Sequence, residues 1–142
     1  MLAGFGVFLF IAISAMLARS LSATGTERSR VLELAQAQAR GDANAVLART
    51  PACRAQPACV AATRDFVPKL KKPGPVEILQ YRPSVNLPLT NETATGRVAW
   101  RAGTSLPVVQ CVRVHREGPV SGAKVEVLSI SAPIGLEAAC PQ

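Results

Sequence analysis

The hydrophobic positions divide the chain into three parts, of which the first is a continuous apolar run. This run, "LAGFGVFLFIAISAMLA" (residues 2–18), has seventeen positions without a charge. As a helix it spans about 25 Å, slightly less than the roughly 30 Å hydrocarbon core of a bilayer. Arg19 can extend its charged group towards the head groups, so that Leu21 lengthens the apolar segment. The run predicts a transmembrane anchor over residues 1–22.

A cleaved signal peptide is the alternative interpretation of this run. Signal peptides have a shorter apolar region of about 7 to 15 residues, which follows a basic segment and ends at a small-x-small site. Residues 20–22 (SLS) offer such a site, but the run is longer and no basic side chain precedes it. The length favours the uncleaved anchor and leaves cleavage open.

The second part, residues 26–72, has the spacing of short helices. Thr26 can cap a helix whose apolar stripe includes Val31, Leu34 and Ala35. Gly25 is expected to interrupt the helix before Thr26, which gives a hinge over residues 23–26. Gly41-Asp42 should end this helix and cap a short second one, and residues 60–72 form a third candidate helix that ends near Pro68.

The third part consists of four Val-rich segments, separated by Gly, Pro or Asn. They are "VEILQYRPSVNLPL", "TGRVAWRAG", "LPVVQCVRVHREG" and "AKVEVLSISAPI". Their partial period-two alternation predicts strands, and helices followed by strands are typical of an α+β fold. The expected architecture is an N-terminal transmembrane helix, then two to three helices packed on a four-stranded antiparallel meander. Residues 27–142 would form this domain, with Trp100 facing its core.

The charge of the chain adds a candidate basic surface. Sixteen Lys and Arg against nine Asp and Glu give a net charge of +7. A domain tethered to a membrane can place such charges over anionic lipid head groups, although a solvated surface is the simpler explanation. Aromatic side chains do not alternate with the basic ones, which argues against nucleic acid. The candidate residues are Arg64, Lys69, Lys71, Lys72, Arg97 and Arg101.

Four cysteines, Cys53, Cys59, Cys111 and Cys140, suggest disulfides rather than a metal site. Structural zinc sites use closely spaced ligand pairs, and redox pairs favour C-x-x-C, neither of which is present. The favoured pairing is Cys53 with Cys59 and Cys111 with Cys140, and a crossed pairing stays open. Disulfides persist in oxidising compartments. We therefore expect a single-pass cell-membrane protein whose main domain is extracytoplasmic. The arginines that follow the apolar run argue for the opposite orientation.

The titratable residues form no catalytic motif. The chain has no nucleophile elbow, no glycine-rich phosphate loop and no zinc-protease motif, so we predict no enzyme activity, no cofactor and no metal. The alternative to this absence of catalysis is a small enzyme in which His115, the only histidine, works with Asp65 or Glu77. We would expect these groups to meet in a cleft behind the sheet.

Two family resemblances follow from the order of these elements. The passages "LELAQAQARGDANAVLA" and "GAKVEVLSISAPI" resemble small membrane-tethered bacterial proteins with a nuclear transport factor 2-like (cystatin-like) fold. That resemblance implies a pocket between sheet and helices. The apolar helix, the meander, the C-terminal cysteine and "AGF" (residues 3–5) also resemble type IV pilin-like subunits, although Leu9 stands where those subunits have a glutamate.

The sequence therefore supports three functional hypotheses. The first is a membrane-anchored, extracytoplasmic binding or accessory domain that acts on a protein partner or a small ligand without catalysis. The second is a type IV pilin-like subunit, for which we expect one continuous long helix and a filled core. The third is the enzyme that uses His115.

Overall fold

We analysed a computed structural model of the chain. It describes the backbone of residues 2–83, 92–117 and 124–141, and the side chains of these residues except 2–5, 16–24 and 92.

The longest element is helix α1, Leu2–Ala39, which runs without interruption through Gly25. The expected break at Gly25 is therefore wrong, and Thr26 lies inside the helix instead of capping it. A glycine in a helix costs about 1 kcal/mol relative to alanine, but it keeps its backbone N–H and does not end the helix as proline does. The division into an anchor and a domain stays a prediction.

Three short α-helices and a 3₁₀ helix follow α1. They are α2 (Ala43–Arg49), α3 (Pro51–Arg54), α4 (Pro57–Phe66) and the 3₁₀ helix Pro68–Leu70. The predicted cap of α2 is confirmed, since the carboxylate of Asp42 accepts from Ala45 N at 2.9 Å. Pro51 and Pro57 occupy first helical positions, where the missing N–H costs nothing. The prediction missed α3 and the start of α4.

The strands form the expected antiparallel meander. They are β1 (Val76–Arg82), β2 (Glu92–Ala102), β3 (Val108–Glu117) and β4 (Lys124–Ile130), in the order β1-β2-β3-β4. The ladders shift register once in β1, between Ile78 and Gln80, and once between β3 and β4. The predicted continuation of β1 beyond residue 83 lies outside the described residues.

The core lies between the inner face of the sheet and the C-terminal half of α1. Trp100 of β2 is fully buried, as predicted, and so are Val98 of β2 and Val112 of β3. The helix contributes Val31 and Leu34, each with no exposed surface. The expected α+β class is confirmed for the described residues.

The turn before β1 contains a glycine that the fold requires. Gly74 has φ +103°, and a β-carbon there would lie 2.8 Å from Gly103 Cα. A side chain at Gly25, in contrast, would meet nothing within 4 Å. The two positions therefore form a matched pair for substitution.

We expect Gly74→Ala to lower the free energy of unfolding by about 1 to 3 kcal/mol, because it adds a clash at a strained φ. Gly25→Ala should be neutral or stabilise by up to about 1 kcal/mol. Urea unfolding of the full chain, followed by the fluorescence of the single tryptophan, measures both. Equal effects of the two substitutions would contradict this account of the turn.

Candidate functional site

The space between the sheet and α1 is occupied by packed side chains. Four side chains of β2 and β3 are each at most 1% exposed: Val98, Trp100, Val112 and Val114. Gln110 Nε2 donates to Gln38 Oε1 of α1 at 2.7 Å, and Trp100 Nε1 donates to Gln110 Oε1 at 2.8 Å. These bonds join helix and sheet in the place where the resemblance implied a pocket.

A buried ion pair joins α1 to the far end of the sheet. Glu27 of α1 is 1% exposed, and its Oε2 accepts from Arg116 of β3 at 3.0 Å (Nε) and 2.7 Å (Nη2). Tyr81 of β1 donates to the other carboxylate oxygen, Oε1. Beside it, Arg28 donates to the carbonyl of Ile78 at 3.2 Å. One carboxylate thus connects α1 with β1 and β3.

The environment of Tyr81 favours its neutral form. Burial is the main cause, and the hydrogen bond to Glu27 and the charge of that carboxylate add to it, so the pKa of Tyr81 is raised above its ordinary value of about 10. The charge of Arg116 opposes this shift but is the smaller effect. The phenol therefore stays a hydrogen-bond donor at every physiological pH.

Both predicted disulfides are confirmed. Cys53 in α3 pairs with Cys59 in α4, with their Cα atoms 5.3 Å apart. Cys111 in β3 pairs with Cys140 in the C-terminal tail, with a Cα separation of 5.6 Å. A bridge between Ile134 and Val109 and the bond from Cys111 N to Ser131 Oγ fix the start of the same tail. The tail is therefore held against the outer face of the sheet.

The six predicted basic residues lie in different local environments. Lys71 and Lys72 line a cavity of about 580 Å³ together with Arg40, which the sequence did not single out. Lys69 is held by Asp65 at 2.8 Å, and Arg101 by Glu77 at 3.1 Å. Arg64 is exposed on α4, and Arg97 lies on the outer face of the sheet.

Arg97 points towards the tail. Its Nε donates to the carbonyl of Ala138 at 3.3 Å, and its Nη2 donates to the carbonyl of Leu136. A groove of about 710 Å³ lies here, between β1, β2 and the tail segment that ends at Cys140. We call it the tail groove.

His115 and the two carboxylates proposed as its partners are not brought together by any described hydrogen bond. His115 Nδ1 lies 3.3 Å from Thr93 Oγ1, while Asp65 and Glu77 bind Lys69 and Arg101. Across the strands, His115 lies opposite Thr93 and Glu126. The described contacts give the enzyme hypothesis no support.

The N-terminal half of α1 exposes apolar side chains. Val7, Phe8, Phe10 and Ile11 are between 60% and 74% exposed. Of the predicted anchor, side chains are described for residues 6–15 only, and the others lie outside the described residues.

Counting only the described residues, no helix has both the length and the apolar character to cross a membrane.

Within the same residues, no group of His, Cys, Asp and Glu side chains is arranged to hold a metal ion.

Comparison with protein-family models, curated proteins and solved structures finds no match to the chain. The two resemblances drawn from the sequence therefore rest on the order and pattern of the elements alone.

The buried cluster was missed by the sequence reasoning, although a signal was present. Glu27 follows the expected cap Thr26, where a carboxylate is typical of a helix start, and Tyr81 and Arg116 belong to no recognised motif. Glu27, Val31, Leu34 and Gln38 share one face at helical spacing, and all four are buried. Two polar residues on an apolar stripe indicate buried partners across the core.

We expect Glu27→Gln to lower the free energy of unfolding by about 2 kcal/mol, because Arg116 loses its charged partner in a buried site. Glu33→Gln is the control. Glu33 is half-exposed, at 3.8 Å from Arg30 and 3.6 Å from Arg49, and its loss should cost less than about 1 kcal/mol. Urea unfolding measures both; a cost for Glu27→Gln no larger than that of the control would refute the role of the ion pair.

The raised pKa of Tyr81 gives a sign to the pH dependence. The folded state stabilises the neutral phenol, so this contribution is complete below about pH 10 and is lost as the pH rises above it. Relative to Tyr81→Phe, the natural chain should lose about 1 kcal/mol between pH 8 and pH 11. Because Tyr81 is the only tyrosine, tyrosinate absorbance reports its ionisation directly. Ionisation near pH 10 in the folded chain would disprove the raised pKa.

Proposed function

We propose that the chain is a membrane-anchored, extracytoplasmic binding or accessory domain that works without catalysis. The observation that carries this proposal is the solvent-facing apolar surface on the N-terminal half of α1. Phe8 and Phe10 are more than 70% exposed, in a helix whose other half is the centre of the folded core. Large exposed apolar surfaces need a partner, and an uncharged helical run of this length suits lipid.

The disulfides support the extracytoplasmic location of the domain. All four cysteines are paired, and such bonds persist in oxidising environments. We therefore place the folded part on the extracytoplasmic side of a cell membrane, against the tendency of the arginines that follow the apolar run.

The filled interior supports binding at the surface. Inside the domain, Trp100 donates to Gln110 and Gln110 donates to Gln38, so these side chains bond across the core. Gln38 Nε2 has no partner among the described residues. A nuclear transport factor 2-like protein with this interior would use its outer face, its loops or its tail. We propose a protein or a small ligand as the partner, and we do not assign nucleic acid.

Anionic lipid head groups are a weaker partner for the basic residues. From Ser22, the end of the predicted anchor, to Ala39, α1 rises about 26 Å along its axis. If α1 stands upright in the membrane, the cavity at Arg40, Lys71 and Lys72 lies about that far from the head groups. Screening weakens the attraction over more than about 10 Å.

A type IV pilin-like subunit is the second candidate, and one observation favours it. Helix α1 is continuous from its apolar half into the core, and the sheet packs on it as a four-stranded meander. The C-terminal disulfide to Cys140 adds to the likeness. Leu9, where a glutamate is expected, weighs against it.

The anchor can be tested with charged substitutions. Introducing Leu9→Asp together with Phe10→Asp should move the chain from the membrane to the soluble fraction, because each charge near the centre of a bilayer helix costs about 3 kcal/mol. Leu106→Asp is the control, since Leu106 is 83% exposed but lies on the domain, between β2 and β3. It should leave the chain in the membrane.

Alkaline phosphatase fused to the C-terminus gives the orientation. We expect an active fusion in a bacterial host, and a silent fusion with an active cytoplasmic reporter would overturn the extracytoplasmic placement. If shearing releases the chain from cells as filaments, the pilin-like hypothesis would replace that of a tethered domain. A chain that stays in the membrane pellet and forms no filaments supports the first proposal.

A further inference from the structure

We propose that the tail groove binds a small anionic amphiphile, whose carboxylate or phosphate group is held by Arg82 and Arg97. The proposal names a ligand class for the tethered domain and so rests on the proposed binding function, but it does not require the anchor. Membrane attachment and groove binding can therefore fail separately.

The first observation is the register of the two arginines. Arg82 of β1 lies directly opposite Arg97 of β2, and both line the groove. Like charges directly opposite each other destabilise a sheet. Within the residues that the structure describes, neither guanidinium forms an ion pair with a carboxylate. Two neighbouring positive charges are thus left without a carboxylate among the described residues.

The second observation is a shared acceptor. The side-chain oxygen of Gln80 accepts from Arg97 Nη1 at 3.4 Å. With the amide in its other orientation, the same oxygen accepts from Arg82 Nε and Nη2, each at 3.2 Å. One amide oxygen cannot satisfy both guanidinium groups at once. An oxyanion can, because guanidinium groups bind carboxylate and phosphate through paired hydrogen bonds.

The remaining lining is mainly apolar. Leu79 of β1 is 42% exposed and Leu136 of the tail is 63% exposed, and both line the groove. Ala99, Pro107 and Val109 also line the groove. They lie on the side of the arginines that is nearer to the β2–β3 turn. The groove therefore places apolar surface beside its two arginines. Its volume of about 710 Å³ lies in the range that holds small ligands.

One acidic side chain lies at the same groove. Glu137, in the tail, is exposed and is among the lining residues. Its charge opposes a bound anion, so it lowers the affinity without removing the net positive charge of the two arginines. This gives the test a variant of opposite sign.

The experiment uses the full chain in phosphatidylcholine nanodiscs, titrated calorimetrically with phenyl phosphate and with benzoate. We expect both to bind, and inorganic phosphate and neutral benzyl alcohol to bind more weakly, since each lacks one half of the amphiphile. Empty nanodiscs provide the blank. Equal affinity for benzyl alcohol would overturn the anionic class, and equal affinity for inorganic phosphate would overturn the apolar half.

Arg82→Gln should weaken both anions about tenfold, the usual loss when charge-assisted hydrogen bonds are removed. Glu137→Gln should tighten them. Arg101→Gln is the matched control, because Arg101 lies on the same face of β2 but is held by Glu77, and it should change the affinity less than about twofold. Arg97 is left intact, since its bonds to the tail also shape the groove.

Two results would refute the site. One is unchanged binding in Arg82→Gln with an unaltered unfolding midpoint; the other is an equal loss in Arg82→Gln and Arg101→Gln, which would indicate a general attraction to positive charge. Nanodiscs that contain phosphatidylglycerol distinguish the sources of the anion. If phosphatidylglycerol competes with phenyl phosphate for the natural chain but not for Arg82→Gln, the bound anion is a lipid head group. If phosphatidylglycerol does not compete, the anion is one that is free in solution.

Discussion

The fold depends on the ion pair between Glu27 and Arg116. Glu27 lies on a helix that continues into an exposed apolar half, whereas Arg116 and Tyr81 lie on two strands that are not neighbours in the sheet. A buried carboxylate is tolerated only when every oxygen finds a donor, so this contact admits one register of α1 on the sheet. The second polar contact, Gln38 with Gln110, fixes the same register about 16 Å further along the helix. Between them the apolar side chains of α1 can pack in one way.

Much of the architecture could be predicted because it depends on local patterns. Period-two alternation located all four strands, and Asp42 identified the start of α2. The favoured cysteine pairing, Cys53 with Cys59 and Cys111 with Cys140, is the one observed, although the sequence left a crossed pairing open. The wrong prediction at Gly25 has the same origin: local propensity opposes a helix there, but a single glycine costs less than the neighbouring helical turns contribute. The short helix α3 was missed because four residues show no periodicity.

The surface sites were less predictable, because they depend on which residues the fold brings together. Lys69 and Lys71 are close in sequence, yet one is neutralised by Asp65 and the other lies with Arg40 at a cavity. Arg82 belongs to no motif in the sequence. It becomes a candidate ligand-binding residue only because the strand register places it opposite Arg97. Charge counted along the chain cannot distinguish a paired arginine from one left without a carboxylate. The cross-strand pairing determines which arginines have a carboxylate partner.

The continuity of α1 has a mechanical consequence. A helix without a hinge transmits rotation, so the direction in which the sheet faces is set by the number of residues between the exposed apolar half and Glu27. Adding or deleting one residue there would turn the whole sheet by about 100° around the helix axis and shift it by about 1.5 Å. Neighbouring molecules would then meet a different side of the domain. The length of this segment therefore determines the angle between the exposed apolar half and the sheet.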